Sequence, residues 1–215
     1  MAETGINFTN LRGIRRLMLA KQLVDNETEL TYETPVRFAG VKSVGGETEE
    51  SSATEYYDNQ ASIVTNAEGA DTYPITTSVL DDAIRAVIEG RDYDEENGAY
   101  LGTPLKRPYT AIGFVAEDTD GNELYYWIYK GKLSGGKENH ITKDDGTETT
   151  NLEWEFTSIY TNKKFETKNG KQALKFFKVK AGGKVTEDAF FAKVFTPDDL
   201  KGIAASAKEK QGYTK

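Results

Sequence analysis

The chain has 215 residues, 37% of them hydrophobic and 29% charged, with a formal net charge of −8. It is long enough for one domain with a sizeable core, and too acidic for a surface that grips nucleic acid through Lys and Arg. It has no cysteine and a single histidine, His140, which excludes disulfides and thiolate metal sites and leaves little material for a triad or a zinc centre.

The N-terminus, MAETGINFTNLRG, begins acidic and has no apolar stretch, so it does not read as a secretion signal. No apolar run approaches the roughly 20 residues of a membrane span. The expectation is a soluble protein made in a cytoplasm, with no membrane partner. The charge is uneven. Residues 1–100 carry 19 acidic and 8 basic side chains, whereas residues 163–193 carry nine lysines and three acids. Two readings stand: two solvated faces of opposite sign, or an acidic face on one subunit that meets a basic face on the next.

Residues 14–24, IRRLMLAKQLV, fit a strand or a helix equally, and DNETE at 25–29 reads as a turn. PVRFAGV (35–41) reads as a short strand with Pro35 at its first position. Residues 45–60, GGETEESSATEYYDNQ, hold almost no core-forming side chains and read as a long polar loop. ASIVTN (61–66) and DTYPITTS (71–78) read as two strands around the turn AEGA. A helix follows at about 79–89. Ser78 is its candidate cap, Asp81 and Asp82 suit its N-terminal end, Gly90 closes it, and Leu80, Ile84, Val87 and Ile88 form one apolar face.

RDYDEENGAYLGTPLKR (91–107) reads as a loop. YTAIGFVAE and LYYWIYKGKL then flank DTDGN, a strong hairpin signal. In the second of these strands Tyr125, Trp127, Tyr129 and Leu133 fall on one face. Leu124, Tyr126 and Ile128 fall on the other, before Lys130 and Lys132 return it to water. Of the two faces, one is expected to meet an opposite sheet and the other the helix. TETTNLEWEFTSIY (147–160) alternates cleanly, with Leu152, Trp154, Phe156 and Tyr160 on its apolar face. ALKFFKVK (173–180) reads as a strand, TEDAFFAKVF as a short helix capped by Thr186, and the segment after Thr196 as a helical start that dissolves into a polar tail.

The fold class is therefore mainly β: an antiparallel β-sandwich or barrel with one flanking α-helix, a long polar loop and a C-terminal extension. The division is one β-rich domain over 1–195 and a polar tail over 196–215. No catalytic, cofactor-binding or metal-binding pattern stands out. His140 lies in a polar loop, DTDGNE is too short for a calcium loop, the paired glycines read as turns rather than a phosphate loop, and the carboxylates fall in turns and on wet faces.

Several features in order, YETPVRFAGVKSV, the Ser/Thr/Glu-rich stretch ending TEYYDNQA, ITTSVLDDAIRAVIEG, RPYTAIGFVAEDTDGNELYYWIYKGKL and LEWEFTS, resemble the major tail proteins of long, non-contractile-tailed bacteriophages of Gram-positive hosts. The resemblance covers about residues 30–160. It implies a virion structural protein with no enzymatic role and no cofactor, a β-sandwich subunit that forms hexameric rings stacked into a tail tube. The implied partners are other copies of the chain, a tape measure protein, a tail terminator and distal tail or baseplate proteins. The tube would assemble in the host cytoplasm and conduct DNA without binding it specifically.

A DNA conduit needs a wall that does not hold phosphates. The face formed by Thr147, Thr149, Asn151, Glu153, Glu155 and Thr157 has no Lys or Arg and is the candidate lumen lining; an ordinary solvated outer face reads the same way. The stretch 45–60 is the candidate ring-stacking loop, with Glu47, Glu49 and Glu50 on it and Tyr56 and Tyr57 as anchors; a plain solvent loop is its alternative. Three other functions remain compatible with the residues: an isolated β-sandwich binding or adhesive module, a hydrolase with paired acids, and a tube protein of a contractile or secretion system.

Overall fold

A computed structural model of the chain describes residues 11–58, 60–137 and 151–202. Its strands are β1 (Leu11–Asp25), β2 (Leu30–Tyr32), β3 (Val36–Arg37), β4 (Val41–Val44), β5 (Glu47–Tyr57), β6 (Gln60–Thr77), β7 (Asp92–Asp94), β8 (Ala99–Leu101), β9 (Thr110–Asp118), β10 (Glu123–Gly135), β11 (Leu152–Ser158), β12 (Lys164–Thr167), β13 (Gly170–Ala173) and β14 (Phe176–Lys180). The helices are α1 (Asp82–Glu89) and α2 (Glu187–Phe191), and residues 197–202 are also helical. The protein is mainly β and antiparallel, and its main sheet curls into a half-barrel in the order β2-β1-β9-β10-β11-β6-β4. On the edge of β10 away from β9, β14 pairs with residues 124–128 and β11 with residues 131–135.

The 14–24 stretch, open between strand and helix in the sequence, is strand. It pairs with β9 along most of its length and is bulged between Arg15 and Met18. The bulge puts Arg16 at a φ of 56°.

Helix α1 is shorter than the sequence suggests. Ser78 is not its cap. Asp81 is, accepting from the Ala83 N–H at 2.9 Å, and Gly90 ends the helix in the left-handed conformation. A β-carbon at Gly90 would also lie 2.1 Å from the Lys106 carbonyl oxygen, so only glycine fits. The segment 91–107 is not all loop, because it contains the small β7–β8 hairpin.

Two clusters fill the two faces of the sheet. The inner one gathers Leu17, Leu19, Ile75, Ile112, Ile128, Trp154 and Phe156 from five strands, closed at one end by Leu80 and Ile88 of the α1 region. The apolar stripe of α1 thus finds the partner expected of it. The outer cluster is built around Trp127 and Tyr129, both fully buried. It is not covered by an opposite sheet. Its cover is the C-terminal segment: Phe190, Phe191, Val194 and Phe195, helped by Val185 and by Phe165 of the small β12–β13 hairpin. Buried indole and phenol groups need partners. Trp127 Nε1 donates to the Phe190 carbonyl at 3.0 Å, and the Tyr129 hydroxyl donates to the Phe195 carbonyl at 3.0 Å.

Two side chains depart from simple alternation along β10. The β9–β10 register shifts between Ile128 and Gly131, so Leu133 falls into the inner cluster rather than beside Tyr129. Lys130 does not return the strand to water. It is 6% exposed, and its Nζ lies 2.6 Å from Asp25 Oδ2. Burial of Asp25 alone would raise its carboxyl; hydrogen bonds from Lys130 and from the backbone N–H groups of Asn162 and Lys163 outweigh that and hold it low. Tyr160 lies beyond the end of β11 and is largely exposed, not on the apolar face.

Candidate functional site

The candidate stacking loop is a strand. Residues 47–57 form β5 and pair with the first half of β6 from Glu47↔Thr72 to Tyr57↔Gln60. The expected turn at AEGA does not exist, since β6 runs unbroken through it. Thr, Tyr, Ile and Val suit a strand, and Asp58 takes the left-handed φ of 51° that the tip requires. The result is a two-stranded arm. At about 3.3 Å per residue, its eleven-residue β5 spans about 35 Å.

The arm presents no buried face. All of β5 is exposed, as are residues 62–69 opposite. Glu47, Glu49 and Glu50 lie along its first half, and Tyr56 and Tyr57 near its tip. Four large apolar side chains sit in water there: Tyr56 (69% exposed), Tyr57 (55%), Ile63 (47%) and Val64 (61%). Successive side chains alternate and cross-strand pairs share a face, so Tyr56 lies with Thr54 and Val64 on one side, with Glu55 and Ile63 on the other.

The root of the arm is held by a buried charge. Lys175, just before β14, is 4% exposed. Its Nζ donates to Asp71 Oδ1 and to the Gly69 carbonyl, each at 2.7 Å, and also to Glu68. The Tyr160 ring lies 4.8 Å from the same Nζ. Burial alone would depress the ammonium; hydrogen bonds to Asp71 and Glu68 overcome that and raise it.

The candidate lining falls on β11. Asn151, Glu153 and Glu155 are exposed and Thr157 is half-buried, while Leu152, Trp154 and Phe156 point inward. Thr147 and Thr149 lie outside the described residues, as does His140. Cross-strand pairing extends the polar strip onto β6 through Thr72, Pro74 and Thr76, and onto β10 through Lys132 and Ser134. Lys132 is the one cation these pairings add, and its Nζ sits 4.7 Å from the centre of the Tyr109 ring. This strip is the outer face of the sheet, bare over β11 and β6 but covered by the C-terminal segment over β9 and β10.

The family model for phage tail tube proteins matches residues 46–206, beginning at the base of the arm and running past the last described residue. The chain belongs to the phage tail tube protein family. It is therefore a structural protein of the virion tail that assembles with other tail proteins into a tube. No curated protein matches the chain. The family match takes in the lysine-rich stretch 163–193, which lay outside the resemblance seen in the sequence.

In this tail tube protein the stretch has a structural use. Lys175 clamps the arm root, and the segment beyond it supplies the outer cover for Trp127. Sequence reasoning missed that clamp. The only signal was an isolated lysine among Leu174, Phe176 and Phe177, a poor setting for a charge unless it is paired.

Proposed function

We propose that the chain is the repeating subunit of the tube of a long, non-contractile phage tail, closing into hexameric rings that stack around a lumen conducting the DNA genome. The observation that carries this reading is the arm. A two-stranded ribbon exposed on both faces has little to stabilise it alone, yet this one holds tyrosines, isoleucine and valine in water at its tip. Such a device suits a subunit whose missing face is another subunit. The arm, with Glu47, Glu49, Glu50, Tyr56 and Tyr57, is the ring-stacking element.

The bare strip of Asn151, Glu153, Glu155 and Thr157 lines the lumen, with Thr147 and Thr149 assigned to the same wall from the sequence. Carboxylates and hydroxyls there repel or ignore phosphates, so DNA slides rather than sticks. The remaining partners are a tape measure protein that sets tube length, a tail terminator, and distal tail or baseplate proteins; assembly takes place in the host cytoplasm. Sedimentation of the purified protein over rising concentration tests the ring. A species of six times the monomer mass is expected, and a dimer or a trimer as the end state would refute the stoichiometry.

A further inference from the structure

The half-barrel does not fill its own interior. Helix α1 closes one end of the inner face, and at the other end a groove of about 660 Å³ stays open between β14 and the turn that leads from β4 into the arm. Ile14, Phe114, Tyr126 and Phe176 make its apolar lining, and the Phe114 and Tyr126 rings stack at 4.9 Å. Phe176 remains 46% exposed. Lys42 and Lys178 stand on its rim and form no ion pair with any described residue; Arg12 is there too, already paired with Glu117.

The arm has the opposite character. Residues 47–70 contain six carboxylates and no Lys or Arg. Of its two faces, the one bearing Tyr56 and Val64 is the more exposed, at 69% and 61% against 55% and 47% for Tyr57 and Ile63. Tyr57 also spends its hydroxyl on Glu55 within the arm.

We propose that this groove is the receptor for the arm of a second copy of the chain, with Tyr56 and Val64 seated on Phe114, Tyr126 and Phe176, and the arm's carboxylates facing Lys42 and Lys178. The proposal rests on the tube reading and names the surface that receives the arm. An aromatic anchor entering an apolar slot supplies affinity, and the charged rim supplies register and rejects a cationic intruder.

The chain has no cysteine, so introduced thiols report without background. Thr54→Cys protein and Ser43→Cys protein, distinguished by isotope label, are mixed under assembly conditions with a mild oxidant. Thr54 lies beside Val64 on the docking face and Ser43 lines the groove, so both the anchor and its seat are kept. Both sites are exposed, so neither change threatens folding. A disulfide joining the two variants, in large excess over links within either one, is the expected result. Tubes that form without that heterodimer overturn the proposal and leave the tube reading intact. A heterodimer without any tube overturns the tube reading and keeps the contact; neither heterodimer nor tube overturns both. Protection of Ser43→Cys from a thiol reagent in the unassembled monomer would place another segment of the same chain in the groove and likewise overturn the proposal.

Discussion

Lys175 and Asp71 form a buried ion pair 2.7 Å apart, with side chains only 3% and 5% exposed. One partner lies at the threshold of β14 in the lysine-rich third, the other at the point where β6 leaves the sheet to become the arm. The pair thus fastens the C-terminal part of the chain to the root of its most exposed element. Replacing Lys175 with Met leaves Asp71 buried and unpaired, at a cost of about 3–5 kcal/mol. Pairing it with Asp71→Leu should recover most of that loss, because no charge is then stranded. Chemical denaturation of the three proteins checks this; a double variant no more stable than Lys175→Met would refute it.

Trp127 is the centre of the outer core. It is fully buried, hydrogen-bonded to the Phe190 carbonyl and tilted against Phe191. Trp127→Ala should cost about 3–5 kcal/mol. Gly113, across the strand pair, lies so close under the indole that a β-carbon there would stand 2.7 Å from it. Gly113→Ala should therefore destabilise by about 1–3 kcal/mol through overpacking. Thermal melts read both, and near-neutral shifts would contradict this packing.

The C-terminal cover should have an acid limit. Arg15 and Arg16 both reach Glu187 at the start of α2, at 2.6 and 2.8 Å. The hydrogen bond from Arg15, then that from Arg16, outweigh burial and pull the Glu187 carboxyl down to about 2 from an ordinary 4.5. A carboxyl lowered by folding stabilises the fold in full above about pH 4.5, and that contribution is lost as pH falls toward 2. Trp127 fluorescence should report loosening of α2 over that window. Glu187→Gln should weaken the dependence there, and an unchanged acid profile would count against the clamp.

The arm carries none of the core, so its removal should leave the body intact. Replacing residues 49–67 with a two-residue turn is expected to give a folded monomer with a similar melting temperature that no longer forms tubes. Circular dichroism and electron microscopy of one sample decide it. An unfolded product would mean that the arm belongs to the core.

What the sequence revealed follows what leaves a pattern in it. The 110–135 hairpin, buried on both faces through most of its length, was legible from its two apolar runs around the turn DTDGN. β11 alternates between wet and dry faces, so the exposure of Glu153 and Glu155 was legible. The α1 stripe was legible for the same reason at a different period. Of the arm, the strand at 61–66 was legible, but β5 and the unbroken run of β6 through AEGA were not, because both faces of the arm are wet and no alternation marks them. The switch of Leu133 to the inner core arises from a bulge, which slips the register without any residue signature. The Lys130–Asp25 and Lys175–Asp71 pairs join positions more than a hundred residues apart, and local pattern does not carry such contacts.

Charge reversal on the bare strip separates lining from outer surface. Glu153→Lys with Glu155→Lys should permit assembly, since neither side chain contributes to the core, but slow the passage of DNA by giving phosphates a cation to hold. Ejection kinetics of virions carrying both changes provide the reading; unchanged ejection from normally assembled tails would move the strip to the outside.

The most direct measurement is electron microscopy of the purified full chain across a concentration series, repeated with the neighbouring tail proteins co-expressed. Hollow tubes built of six-fold rings, with an arm bridging each ring to the next, are the expected result. Particles that stay monomeric at every concentration and in every co-expression would contradict the reading of this chain as the subunit of a self-assembling tail tube.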